Sequence, residues 1–131
     1  MVRTLKIVLM IIGGLILVYA ITKTSIAEAP TPPVPIKQPT VEELVSKYAL
    51  QYNVSASRML ATMKCESGLN EKAVGDHGNS YGIAQIFLKA HPEVTIAEAQ
   101  DPAFASEFMA KEFSKGNARI WTCWRKIYGV K

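Results

Sequence analysis

The sequence predicts a small, mainly α-helical domain with a short glycine-rich loop or β-hairpin beside the end of one helix. Residues 40–131 contain several runs in which apolar residues recur every three or four positions, and this is the spacing of one face of an α-helix. Between these runs, residues 75–82 are polar and hold three glycines. Glycine at this density favours tight turns over a helix, so a loop or hairpin is expected there.

Residues 1–27 are expected to be a signal peptide or an N-terminal membrane anchor. The segment from Ile7 to Ile21 is fifteen residues without a charge, and Arg3 and Lys6 precede it. Its length is typical of a signal peptide and shorter than the roughly 20 residues that span a bilayer. Small residues favour cleavage after Ala27; without cleavage the segment would hold the chain in the membrane. Both alternatives predict an extracytoplasmic domain, either secreted or anchored.

Residues 28–39 are expected to be a linker because proline is dense there. The prolines are Pro30, Pro32, Pro33, Pro35 and Pro39. Such a segment favours an extended polyproline II conformation, which suits a tether. The globular domain is therefore expected to comprise residues 40–131.

The charge balance argues against a nucleic-acid partner. The net charge is +4, and the first 28 residues hold three basic side chains and one acidic side chain, a net +2, which leaves 4 − 2 = +2 for the remainder. A nucleic-acid interface needs many phosphate contacts along a basic surface, and this excess is too small for one. A mild attraction to an anionic surface such as a cell wall is compatible with it.

Capping residues predict where the helices begin and end. Thr40 to Glu43 has the pattern of a capping box, so the first helix should run from there to about Tyr52. Ser55 should cap a second helix, which Gly68 would end.

Later capping signals predict a short helix at Thr95–Glu98 and a longer one from Asp101-Pro102, followed by a last helix from Ala118 to Tyr128. In the last helix we expect four side chains to face inward: Ile120, Cys123, Trp124 and Ile127. Trp121 and Tyr128 have two interpretations, either packing against the core or lining a sugar groove.

Glu66 is the candidate catalytic residue. It lies three residues after Met63 and seven after Met59, on the apolar stripe of the second helix and close to its C-terminal end. Burial and the negative end of the helix dipole both disfavour a charged carboxylate. Both effects favour the protonated form, which a general acid needs. The alternative is that Glu66 lies in water at a frayed helix end.

The polar loop offers groups that suit a sugar ligand. Ser80 and Gln85 can form hydrogen bonds with hydroxyl and amide groups, and Tyr81 has a flat face. The pair Glu66-Ser67 followed by Ser80-x-Gly82-x-x-Gln85 resembles the soluble lytic transglycosylase domain of the lysozyme-like superfamily. The resemblance covers about residues 41–128 and is carried by these two short motifs.

This resemblance implies an α+β, lysozyme-like fold and one reaction. Glu66 would be the catalytic acid, and Ser67, Ser80 and Gln85 would line the sugar site. The substrate would be the glycan strands of peptidoglycan, cleaved at the β-1,4 bond between N-acetylmuramic acid and N-acetylglucosamine with a 1,6-anhydro product. No cofactor is implied, and we expect a monomer.

Three alternatives to this activity remain open. The segment from Gly75 to Ser80 also looks like some true lysozymes, which would hydrolyse the bond with Asp76 as a second carboxylate; Asp76 capping its own loop is the other interpretation of that residue. Where the transglycosylase family often has Gly-Leu-Met-Gln, this chain has Gly82-Ile83-Ala84-Gln85. A wall-binding module without catalysis and a plain helical domain linked to export are the remaining alternatives.

The two cysteines, Cys65 and Cys123, predict one disulfide, because an exported chain with an even count generally pairs its cysteines. Two buried free thiols are the alternative. Neither His77 nor His91 has a recognised zinc-ligand spacing with them, and neither stands in a known pattern as the base for a cysteine nucleophile, so we expect no metal site.

Overall fold

A computed structural model describes residues 37–129 of the chain. The predicted signal peptide or membrane anchor (residues 1–27) and residues 28–36 of the predicted linker lie outside this range. Residues 37–39 are exposed and have no regular secondary structure. Within residues 37–129, no helix has both the length and the apolar character needed to cross a membrane.

Residues 37–129 are mainly helical and contain one small antiparallel sheet, which confirms the predicted fold class at this level. The elements in chain order are α1 (Val41–Gln51), α2 (Ala56–Ser67), β1 (Val74–Gly75), β2 (Ser80–Tyr81), β3 (Ile86–Phe87), α3 (Ile96–Ala99), α4 (Pro102–Ser114), a 3₁₀ helix (Asn117–Ile120) and α5 (Thr122–Tyr128).

The predicted caps of the helices are present. The Thr40 side chain accepts from the amide of Glu43, and the Glu43 side chain accepts from the Thr40 amide, so α1 begins with a complete capping box. Ser55 caps α2, and Gly68 ends that helix in the left-handed conformation at φ 65°. These caps satisfy backbone groups that have no partner within the helix, and they therefore fix the ends of α2.

The core lies where α1, α2 and α4 meet the short sheet. Met59 and Met63 of α2 are completely buried, as are Val45 of α1 and Met109 of α4. The apolar stripe predicted for α2 is therefore confirmed. Because Glu66 continues this stripe, the packing of the two methionines sets the direction in which the last turn of α2 presents it.

A hydrogen bond also connects α1 to α4. The Tyr52 hydroxyl donates to Glu107 Oε1 at 2.7 Å, and this bond to a carboxylate raises the pKa of Tyr52 above its usual value.

The glycine-rich segment forms a β-hairpin. The strand order is β1-β2-β3, with Gly75 paired to Ser80 and Tyr81 paired to Ile86. Between β1 and β2 the chain turns through Asp76 and His77, which have positive φ values of 49° and 55°. The predicted loop or hairpin is therefore confirmed as a hairpin.

The last predicted helix, Ala118 to Tyr128, is wrong at its start. The chain forms a 3₁₀ helix, becomes extended at Trp121 (φ −79°, ψ 126°), and only then begins α5. This break allows the Trp121 indole to enter the core, where Nε1 donates to the Ala84 carbonyl at 2.7 Å. It also changes the phase of the helix. Ile120 and Ile127, which were expected to face inward, are 51% and 43% exposed.

Replacing Ser106 with alanine is expected to stabilise the domain. Ser106 is completely buried in α4, and its hydroxyl has no hydrogen-bond partner within residues 37–129. Because an unsatisfied buried hydroxyl is costly, Ser106→Ala should raise the free energy of unfolding by about 1 kcal/mol, measured by urea denaturation. Ser114→Ala, at an exposed hydroxyl on the same helix, is the control and should change it by less than about 0.5 kcal/mol. A clear loss of stability in Ser106→Ala would contradict this expectation.

Candidate active site

One cavity of about 660 Å³ lies beside the C-terminal end of α2 and the hairpin. This volume is in the range of ligand sites, roughly 300–1,000 Å³. Its lining residues are Glu66, Gly75, Asp76, Ser80, Gln85, Ile86, Phe87, Ala90, His91, Phe108, Ile120, Trp121 and Thr122. Four residues predicted for the site, Glu66, Asp76, Ser80 and Gln85, therefore share one cavity.

Glu66 is half-buried in the last turn of α2, on the cavity wall. Its Oε1 accepts a hydrogen bond from the backbone N–H of Cys123 at 2.9 Å. Cys123 is the second residue of α5, and Trp121 at the N-cap position of that helix provides no side-chain cap. Glu66 therefore satisfies an N–H in the first turn of α5, and it is neither fully buried nor at a frayed end.

The predicted disulfide is present. Cys65 and Cys123 are bonded, with their Cα atoms 5.8 Å apart. The bond connects the residue before Glu66 to the residue whose N–H contacts Glu66. The end of α2 and the start of α5 are thus joined at the position of this carboxylate.

The Cys123 hydrogen bond makes the two oxygens of Glu66 unequal. Oε1 accepts the N–H, so a proton on Glu66 belongs on Oε2. Oε2 can therefore give up a proton and accept another at the same place, as acid–base catalysis requires.

Asp76 also lines the cavity, and Ser80 holds it in place. The Ser80 side chain is 1% exposed, and its hydroxyl donates to Oδ2 of Asp76. Asn79 Nδ2 donates to the Asp76 carbonyl across the same turn. Ser80 therefore uses its donor on Asp76, and the cavity contains a second fixed carboxylate.

Gln85 is held on the cavity wall by two features of the backbone. It has a positive φ of 48°, which is uncommon for a residue with a side chain, and its Nε2 donates to the Gly82 carbonyl at 3.0 Å. Its Oε1 lies over Gly75, where an added Cβ would be 2.2 Å away. Gly75 thus leaves the space that the Gln85 amide occupies.

Ser67 and Tyr81 have structural contacts and are not among the residues that line this cavity. Ser67 Oγ donates to the Ile83 carbonyl at 2.8 Å and joins α2 to the segment after the hairpin. The Tyr81 hydroxyl donates to the Gly78 carbonyl at 2.9 Å and closes the turn. Their predicted contact with a sugar stays a prediction.

Sequence reasoning missed the apolar wall of the cavity. Phe87 and Ile120 are 40% and 51% exposed at this cavity, although Ile120 was expected to face inward. His91 packs edge-on against Phe108, with ring centroids 4.8 Å apart. Phe108 belongs to α4, but Phe87 comes from a two-residue strand, Ile120 from a short 3₁₀ helix and His91 from a loop, and these segments have no periodicity for a sequence pattern to detect.

Residues 37–129 contain no group of three or more histidine, cysteine, aspartate or glutamate side chains that could hold a metal ion.

Comparison of the chain with models of known protein families, with curated proteins and with solved structures finds no match. The function of the cavity therefore has to be inferred from its own chemistry.

Replacing Gly75 with alanine is expected to impair the site and leave the fold intact. The new Cβ would displace the Gln85 amide, which is the end of a flexible side chain, so the cost in stability should be small. Any reaction performed in this cavity should slow at least about tenfold, as in Gln85→Ala, while the melting temperature stays within a few degrees. Activity of Gly75→Ala equal to that of the unaltered protein would show that the position of Gln85 is unimportant.

Proposed function

We propose that this chain is a peptidoglycan lytic transglycosylase that cleaves the β-1,4 bond between N-acetylmuramic acid and N-acetylglucosamine. The observation that carries the proposal is the Glu66 carboxylate on the cavity wall, with Oε1 held by the Cys123 N–H and Oε2 left to carry a proton. The motif Glu66-Ser67 with Ser80-x-Gly82-x-x-Gln85 supports it by its resemblance to transglycosylase domains.

The proposed reaction uses one carboxylate twice. Protonated Glu66 gives the proton on Oε2 to the glycosidic oxygen, and the bond from that oxygen to C1 of the muramic sugar breaks. The resulting carboxylate takes the proton of the C6 hydroxyl, and the C6 oxygen bonds to C1. Glu66 is thereby protonated again, no water is consumed, and the product is a 1,6-anhydro sugar.

The hydrogen bond to Cys123 suits this cycle. Between the two proton transfers Glu66 is negatively charged, and a backbone N–H already aimed at Oε1 stabilises that charge without rearrangement. In the same cavity, the Gln85 amide supplies polar contacts, and the exposed faces of Phe87 and Ile120 supply apolar ones. A sugar with hydroxyl, amide and C–H surfaces needs both kinds of contact.

Hydrolysis is the second candidate, and Asp76 is the observation that favours it. Its carboxylate lines the same cavity as Glu66 and is fixed by Ser80. A lysozyme-type mechanism uses two carboxylates, the second one to activate water or to stabilise the sugar cation. The substrate would be the same, and the product would have a hydrated reducing end.

The test is release of soluble muropeptides when the full chain is incubated with isolated peptidoglycan. Release supports glycan cleavage. If the chain sediments with the wall and releases nothing, it is a binding module, and if it neither binds nor cleaves, it is a helical domain of another function. The proposal places the domain outside the cytoplasm, where its substrate lies.

A further inference from the structure

We propose that the Cys65–Cys123 disulfide and the Cys123 backbone amide are positioning elements for Glu66, and that catalysis depends on the disulfide being intact. This inference rests on the proposed function. Its structural basis is that one covalent bond joins the neighbour of Glu66 to the residue that donates to Glu66.

The donor amide belongs to a helix that is weak by itself. Helix α5 has seven residues, and its N-cap, Trp121, makes no side-chain capping bond. Isolated helices of this length are unstable in water, so tertiary contacts have to hold the first turn of α5 in place. The position of the Cys123 N–H is therefore set by the core contacts of Trp121 and by what joins α5 to α2.

Besides the disulfide, the side chains of Arg58 and Tyr128 connect α2 to α5, and this contact is weak. The Arg58 guanidinium lies over the ring of Tyr128, 5.3 Å from its centroid. Arg58 lies near the start of α2 and Tyr128 at the end of α5. Glu66 and Cys123 lie at the other ends of these two helices. Without the disulfide, Trp121 still holds the residue before α5 in the core, but the first turn of α5 loses its covalent connection to the end of α2 beside Glu66.

The disulfide is also chemically accessible from one side. Cys65 is exposed, whereas Cys123 is 9% exposed. A dithiol such as dithiothreitol can therefore attack the bond, being oxidised to its cyclic disulfide while the two cysteines take up two electrons and two protons. The reduced chain would keep Glu66 in α2 and lose the fixed N–H donor.

Kinetics of the Cys65→Ala/Cys123→Ala protein test the inference. We expect kcat on soluble glycan strands to fall roughly 100-fold, because a misplacement of about 1 Å at a catalytic group costs this much. KM should stay within about twofold, since the cavity residues Gln85 and Phe87 belong to the turn before β3 and to β3, not to α2 or α5. Unaltered kcat in the folded double variant would overturn the proposal.

Asp101→Ala is the control for lost stability. Asp101 caps α4 and does not line the cavity, so this change destabilises the fold without touching Glu66 or Cys123. Its kcat should equal that of the unaltered protein. An equal loss of kcat in Asp101→Ala would assign the effect of the cysteines to general destabilisation and contradict the proposal.

A second readout does not depend on activity. In NMR spectra of the disulfide-bonded chain, Glu66→Gln should shift the amide proton at position 123 upfield, because a neutral acceptor replaces a carboxylate. In the Cys65→Ala/Cys123→Ala background the same change should leave that proton unmoved, while the Trp121 indole proton, bonded to Ala84, reports an intact core. If Glu66→Gln does not move the proton in the disulfide-bonded chain, Cys123 does not position Glu66, whatever reaction the cavity performs.

Discussion

Replacing Glu66 with glutamine is expected to reduce muropeptide release by about 100- to 10,000-fold, the range in which a general acid–base group contributes to a rate. Glutamine has nearly the shape of glutamate, and its Oε1 can still accept the Cys123 N–H. It cannot donate a proton as an acid, nor take one up afterwards. The measurement is the rate at which soluble muropeptides appear, at equal concentrations of folded protein.

Asp76→Asn is the matched control, because it makes the same chemical change to the other carboxylate of the cavity. Asparagine can still accept the Ser80 hydroxyl, so the hairpin should keep its shape. In the transglycosylase mechanism its rate should fall less than about tenfold, since one carboxylate performs both proton transfers. Full activity of Glu66→Gln would remove Glu66 from the mechanism, and equal losses in both variants would favour hydrolysis.

Replacing Gly82 with alanine is expected to cause a large loss of stability. A Cβ on Gly82 would lie 1.8 Å from the carbonyl oxygen of Ala99, and the residue has φ 75°. The neighbouring atoms are backbone, so they cannot turn away as a side chain would. Strain at positive φ together with overpacking should lower the free energy of unfolding by about 3–5 kcal/mol, measured by chemical denaturation.

Gly78→Ala separates the two contributions. Gly78 lies in the turn between β1 and β2 with φ 85°, and no atom lies within 4 Å of its added Cβ. In Gly78→Ala the free energy of unfolding should fall only by the cost of the positive φ, about 1–2 kcal/mol. Equal losses of stability in Gly78→Ala and Gly82→Ala would show that the close approach of Ala99 does not contribute to the cost of a side chain at Gly82.

The parts of the fold that depend on neighbouring residues could be predicted from the sequence. The caps at Thr40, Ser55 and Asp101 act within one helical turn, so their residue types are sufficient. The hairpin followed from glycines that favour turns. The break at Trp121 could not be predicted, because it depends on a hydrogen bond to Ala84, 37 residues away along the chain.

The same division applies to the cavity. Glu66, Asp76 and Gln85 lie close together in sequence, and the carboxyl and amide groups of their side chains indicate their chemistry. The Cys123 amide does not, because every non-proline residue has a backbone N–H and only the tertiary fold brings this one to Glu66. The role of Gly75 could not be predicted for a similar reason, because it depends on the space that its missing side chain leaves for the Gln85 amide.

The mass of the products tests the central claim most directly. Peptidoglycan is digested with the full chain, and the released muropeptides are analysed by mass spectrometry beside those from a hydrolytic lysozyme. A single carboxylate acting twice predicts products lighter by one water than the lysozyme fragments, and Glu66→Gln should yield at least about 100-fold less of them. Products with hydrated reducing ends would contradict the transglycosylase mechanism and make Asp76 the next residue to test.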